Sequence, residues 1–433
     1  MAKPKLALIP AAQGSKFYSV LPSSGVGDFD FTRSGSATRI NSQGLIETVA
    51  SGVSRLNYPM IDGVVKGCPH HILEPQRLQL IQYSEAFDDV DWIKSRITVS
   101  ANNIISPDGT LNADKIIETT DTGLHAISVN TIVTSGVSHT FSVFIKKGSS
   151  NFIQFLFGTN NVTGNPYVNF DVNQGIYQNN GVTSANIENY GNGWYRCSAT
   201  FTTSTTSFTN FISPIQSISD SRASSFTGNV NNNFYIYGAM LEEGSFPTSY
   251  IPNYGTAAGV TRSAETANGS GDAATFNDSE GVLMLESSSL SELDVSARYI
   301  QVSDVTSTAN GIQLRYYTST NFFQALYYTN GAYQSVLGYT LPNSSEFNKI
   351  AFKYKQNDFA LWVDGLELVT DASGLTGASL SNLSFDYNGS APLYGNVKQL
   401  QYFDTALNSE DLEKLTSWVS FQEMAEGQLY TIE

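Results

Sequence analysis

Hydrophobic residues in this chain recur at every second position through many short runs. In "HTFSVFIKKG" Phe141, Val143 and Ile145 share one face, and in "YVNFDV" Val168, Phe170 and Val172 do the same. Side chains of an extended strand alternate between two faces, so each run predicts a strand with one face buried. Gly, Asn and Ser bound the runs and supply turns. "NSQG" at Asn41 to Gly44 predicts a hairpin tip. Gln356-Asn357-Asp358 and Asp364-Gly365 predict two reversals flanking strands whose inward residues are Ile350, Phe352 and Tyr354, then Phe359, Leu361 and Val363. Helical spacing occurs only near the end, where Leu412, Leu415 and Val419 follow an expected N-cap at Ser409 and the first-turn acids Glu410 and Asp411. The expected fold class is all-β: a strand-rich N-terminal arm, two β-sandwich or jelly-roll domains, and one short C-terminal helix.

A chain of 433 residues exceeds one ordinary core and points to about two to four units. Alternation is most regular from Phe87 to Pro252, which sets a jelly roll at 86–252. Residues 253–277 are rich in Gly, Ala, Thr and Ser and read as a linker. A second sandwich closed by the helix occupies 278–433. Residues 1–85 hold short strand-like pieces and read as an attachment or oligomerisation arm.

Composition narrows the function. Charged residues are 14%, hydrophobic residues 41% and aromatic residues 12%, the profile of a folded chain whose polar surface is built from Ser, Thr, Asn and Gly. A net charge of −16 repels phosphate backbones and anionic membranes, and no basic run beyond Lys146-Lys147 offsets it, so nucleic acid is not an expected partner. The N-terminus, "MAKPKLALIPAAQGSKFYS", breaks its apolar run at Pro10, so neither a signal peptide nor membrane insertion is expected. Cys68 and Cys197 lack metal-knuckle spacing and read as two separately buried thiols, with a disulfide between them as the alternative.

Several stretches resemble the virion surface proteins of tailed bacteriophages, of the fibre, spike or head-fibre type. They are "GDFDFTRSGSATRINSQGLIE", "CPHHILEPQR", "ISPDGTLNADKI", "YGNGWYRCS", "YIYGAMLEEGSFPTSYIP", "KIAFKYKQNDFALWVDG" and "LYGNVKQLQYFDTALNSEDLEKLTS". The resemblance covers most of the chain. It implies carbohydrate-binding-module-like and laminin-G or concanavalin-like sandwiches, homotrimeric assembly, contacts with other virion structural proteins, and attachment to host-surface glycans at the virion surface. It carries no catalytic residue across. Two other readings stay open: a glycan-degrading depolymerase component, and a structural connector that binds no sugar.

Within "YGNGWYRCSATF", Tyr195, Cys197, Ala199 and Phe201 share the core-facing parity, while Trp194 and Arg196 share the other. A Trp beside an Arg offers a flat apolar face and fixed donors, as a pyranose ring requires; it is equally a packed pair in which Arg covers Trp. Tyr235 and Tyr237, expected on one face with Ala239 and Leu241, and Gln154, opposite in parity to Ile153, Phe155 and Phe157, could extend such a groove or pack in the core. The acids Asp88, Asp89 and Asp91 before Trp92 offer oxygens to a structural calcium ion or form a solvated turn. None of the four histidines has metal-ligand spacing, and neither a GxSxG elbow nor a phosphate loop occurs, so no catalytic residue, metal site or other cofactor is expected.

Overall fold

The computed structural model describes residues 2–290, 297–304, 309–317 and 320–418. The protein is all-β, with antiparallel strand pairing throughout its sheets and one α-helix among the described residues.

Two six-stranded sheets form the first sandwich. One runs in the order Ile97–Ile105, Leu111–Glu118, Asn233–Glu243, Ser138–Lys147, Trp194–Thr202, Ser184–Asn189. The other runs Trp92–Ser95, Ala126–Ile132, Ser207–Ile215, Phe152–Phe157, Tyr167–Asp171, Ile176–Asn180. Alternating residues meet between them. Phe141, Val143, Ile145, Phe155, Phe170, Cys197 and Phe201 are all buried, with Phe157 and Phe201 centroids 4.1 Å apart. Cys197 packs as a small apolar group, whereas Cys68 is exposed and not buried as expected; both thiols are free.

One parity expectation fails at Gly238. Ser142 pairs with Met240 and Phe144 with Tyr237, so an extra residue stands on the 233–243 strand. Gly238 has φ +62°, and a Cβ there would lie 3.0 Å from Phe144. The bulge reverses the alternation. Ala239 and Leu241 face the inter-sheet core with Ile236, while Tyr235, Tyr237 and Met240 face outward.

The second sandwich packs a sheet containing Gly395–Phe403, Glu280–Ser289, Asn348–Lys355, Phe359–Val363 and Leu366–Asp371 against the five strands Ala332–Thr340, Phe322–Thr329, Gly311–Tyr317, Ala297–Ser303 and Asn382–Ser384. Both hairpins foreseen between Asn348 and Asp371 form, and their inward residues join the core. The helix Ser409–Ser417 covers the opposite face of the first sheet, burying Leu412 and Leu415 against Met284, Ala351 and Trp362. Its N-cap is Asn408, not Ser409: the Asn408 side chain accepts from Asp411 N at 2.9 Å. Val419 lies outside the described residues.

The N-terminal segment does not stand apart as an arm. Leu6–Gln13 pairs with Gly395–Phe403, aligning Leu6 with Tyr402 and Leu8 with Leu400. Leu6, Leu8, Phe17, Phe29 and Phe31 thereby enter the core of the second sandwich. The expected linker is structured too. Val260–Arg262 pairs with Arg77–Gln79, and Thr266–Asn268 with Phe29–Thr32. Short strands of low local signal become stable because each completes a sheet whose other members lie far away in sequence. The hairpin at Asn41 to Gly44 forms as read, with Ala37–Ile40 pairing Ile46–Val49. Together with Tyr58 and Met60 it packs on the outward face of the first sandwich.

Candidate functional site

The Gly191-Asn192-Gly193 corner takes φ values of 78°, 51° and 79°, a left-handed run that suits Gly and Asn. Trp194 N donates to Gly191 O and Tyr190 N to Trp194 O, each at 2.8 Å, closing the hairpin. A Cβ on Gly191 would stand 2.4 Å from Gly63 O, so the corner presses directly on the backbone of the N-terminal segment. This contact fixes one wall of a cleft.

Two adjoining chambers line that junction. The larger, about 500 Å³, is bordered by Asn57, Tyr58, Met60, Gln174, Glu188, Asn189, Tyr190 and Tyr195. The smaller, about 220 Å³, is bordered by Arg39, His70, Phe144, Arg196, Thr248 and Asn396. Ile40, Asn57, Glu188 and Tyr190 belong to both. Leu290 and Asn396 bring the second sandwich to the smaller chamber, so all three parts of the chain meet there.

Arg196 is 4% exposed. Its Nη2 donates to Ser142 Oγ at 3.0 Å, and its Cζ lies 5.5 Å from the centre of Phe144. Phe144 meets Tyr190 edge to face at 4.9 Å. Enclosure pushes the Tyr190 phenol up to about 12, against the pull of the Arg196 charge. Glu188 is open to cleft solvent on one side; the protein atoms around it raise its carboxyl pKa, and Arg196 opposes the rise.

Behind the smaller chamber lies a buried ion cluster. Glu265 accepts from Arg33 at 2.7 Å and from Arg55 at 2.8 Å, while Glu74 accepts from Arg55 and contacts Arg262, each at 2.7 Å. Burial pushes the Glu74 carboxyl up, but Arg262 and Arg55 outweigh it and hold the group at about 2. These charges are absorbed by one another and by Ser249, which donates to Glu74 from both its backbone and its hydroxyl. Sequence reading missed them because partners such as Arg55 and Glu265 are not neighbours in the chain.

The residues singled out from sequence separate in space. Trp194, Arg196, Tyr235 and Tyr237 all lie on the outward face of one sheet, on strands that flank Ser138–Lys147. Trp194 is 2% exposed, with its indole Nε1 donating to Ile105 O at 3.1 Å. It supports the cleft from beneath and offers no open ring face. The Tyr237 hydroxyl is buried between Glu85 Oε1 and Asp108 Oδ2, 3.1 Å from each; Tyr235 is half-buried beside Lys115. Gln154 lies on the other sheet, fully buried, donating to Asn169 Oδ1 and accepting from Ala223 N, both at 2.8 Å. It is therefore not continuous with the other four. Only Arg196 borders the cleft. Asn57, Tyr58, Glu188 and Tyr190 join it there; Tyr190 stands at the head of "YGNGWYRCSATF" but was not singled out, and Asn57 and Tyr58 carried no signal.

The turn after Phe87 is closed by a cation. Lys94 Nζ donates to Asp88 O at 2.9 Å and also to Asp89 O, and Asp91 N donates to Asp89 Oδ1 at 3.0 Å. Among the described residues no group of three or more His, Cys, Asp or Glu side chains is placed to hold a metal ion. Among them, too, no helix is long and apolar enough to cross a membrane.

No family model matches the chain, and no curated protein does. Solved structures with partial likeness include the CBM40 of the Ruminococcus gnavus IT-sialidase bound to α2,3-sialyllactose, at 16% identity over 32% of this chain and 84% of that one, TM-score 0.29. The leech intramolecular trans-sialidase has 19% identity over 34% of this chain and 24% of its own, TM-score 0.28. A SAP-like pentraxin from Limulus polyphemus has 10% identity over 33% and 72%, TM-score 0.27. Likenesses this shallow bring neither a ligand nor a site to this chain, whose all-β sandwich architecture rests on its own strand pairing.

Proposed function

We propose that the junction cleft is a glycan-binding site and that the protein is a structural component of a phage particle, displayed at the virion surface. The observation that carries the first part is the lining of the two chambers. Tyr58, Tyr190 and Tyr195 supply flat apolar surface, and Asn57, Gln174, Glu188 and Asn189 supply donors and acceptors around it. Sugars present apolar ring faces edged by hydroxyls, so this mixture matches them better than it matches a purely apolar ligand. The second part rests on the sequence motifs and on an acidic, polar, strand-rich chain.

In this reading the protein binds without catalysing, contacts other virion structural proteins, and assembles as a homotrimer whose repeated clefts convert weak single-site binding of host-surface glycan into avidity. A glycan array probed with the full chain tests the binding, with Asn57→Ala as the control that removes a group shared by both chambers. Expected is selective retention of a few glycans, lost in the variant. A blank array refutes the glycan reading. Absence of the chain from purified particles by mass spectrometry refutes the virion reading.

A further inference from the structure

Burying a guanidinium strips its water, so buried arginines ordinarily stand beside carboxylates. Among the described residues four arginines are buried, and Arg33, Arg55 and Arg262 each have a carboxylate partner. Arg196 is the exception. Among the described residues no carboxylate oxygen comes within the 4.0 Å of an ion pair, and its Nε–H has no acceptor. Ser142 Oγ takes one of its five N–H groups, Phe144 covers its face, and Tyr190 with the carboxylates of Glu188 and Glu242 acts on its charge without closing an ion pair, which leaves a fixed, largely dehydrated cation bordering the smaller chamber.

We infer that the smaller chamber receives a sugar unit bearing a carboxylate, and that this carboxylate pairs with the Arg196 guanidinium where it borders the chamber. The inference rests on the glycan reading of the cleft and specifies its substrate class. A chamber of about 220 Å³ has the volume of about seven waters of the liquid, room for one ring rather than several. The remainder of the glycan then lies in the larger chamber, past Asn57 and Glu188, which both chambers share. A charge-assisted bond to an already dehydrated guanidinium is stronger than the same bond made in water, and it discriminates sharply against a neutral ester.

The test is calorimetric titration of the full chain with a panel of carboxylated oligosaccharides, uronic acids included, each beside its methyl ester and its neutral counterpart. At least one acid is expected to bind ten-fold or more tighter than its ester, with affinity falling as salt rises. Arg196→Gln is expected to remove that preference. If esters and neutral sugars bind as tightly as the acids, and Asn57→Ala weakens all of them, the glycan reading stands and the carboxylate assignment falls. If nothing in the panel or on the array binds, both fall. The acid-against-ester comparison uses the wild-type chain alone, so it decides the matter even if Arg196→Gln fails to fold.

Discussion

Arg55 Nε donates to Glu265 Oε1 across 2.8 Å, joining positions 210 apart in sequence inside a site with no solvent access. With Arg33, Glu74 and Arg262, this pair ties the N-terminal segment to the 260s strands. Through Ser249 it also holds the end of the first sandwich.

Glu265→Ala therefore leaves Arg33 and Arg55 buried beside a missing charge. Removing one member of a buried pair costs about 3–5 kcal/mol. Urea denaturation should show a midpoint far below wild type. Disrupting the exposed Lys16–Asp30 pair by Lys16→Ala should cost less than about 1 kcal/mol.

Acid should weaken the same junction. Burial, with the Lys398 charge and His71 nearby, lowers His70 from 6.5 to about 3, and burial lowers His71 to about 4. The unfolded chain takes up these protons first, so their contribution is full above pH 6.5 and is lost as pH falls toward 4 and 3. Glu74 has the same sign, full above 4.5 and lost toward 2. Asp114, raised by burial to about 6, opposes this trend between 6 and 3.8. The difference in melting temperature between wild type and His71→Gln isolates one group: the wild-type advantage should shrink from pH 7 to pH 5.

The glycine corner offers a sharper structural probe. A Cβ at Gly191 meets backbone oxygen at 2.4 Å, whereas one at Gly193 meets only the flexible Lys146 side chain at 3.4 Å. Both positions have positive φ, so each alanine carries about 1–2 kcal/mol of strain. Gly191→Ala must in addition push the 60–63 segment away. Thermal melting should rank Gly191→Ala below Gly193→Ala, and glycan titration should show weakened binding for Gly191→Ala only.

Thiol reactivity separates the cysteines. Cys197 is fully buried, and burial pushes its thiol pKa well up, while Cys68 is exposed. A thiol reagent should modify one equivalent in the native protein and a second only after unfolding. Fast modification of both in the native state would contradict the packing of the first sandwich.

Much of the fold is legible because period-two alternation is a local property. Phe141, Val143 and Ile145, or Ile350, Phe352 and Tyr354, announce their buried face within one strand, and Asn-Gly and Asp-Gly steps announce the turns. Alternation fails where a bulge intervenes, and Gly238 reversed the assignment of Ala239 and Leu241 relative to Tyr237. The candidate site is less legible. Parity separates Trp194 and Arg196 from the core between the sheets, but it does not reveal that another segment covers that outward face.

The sequence by itself determined an all-β chain, its turns, the closing helix and the inward residues of most strands, because these follow from the geometry of a few consecutive residues. Tertiary structure alone decided that Leu6–Gln13 completes the C-terminal sheet, that the five-charge cluster closes the junction, and that Arg196 borders a chamber without a carboxylate at ion-pair distance. Those outcomes depend on which distant surfaces meet, and the pairing of buried charges is settled only where they do.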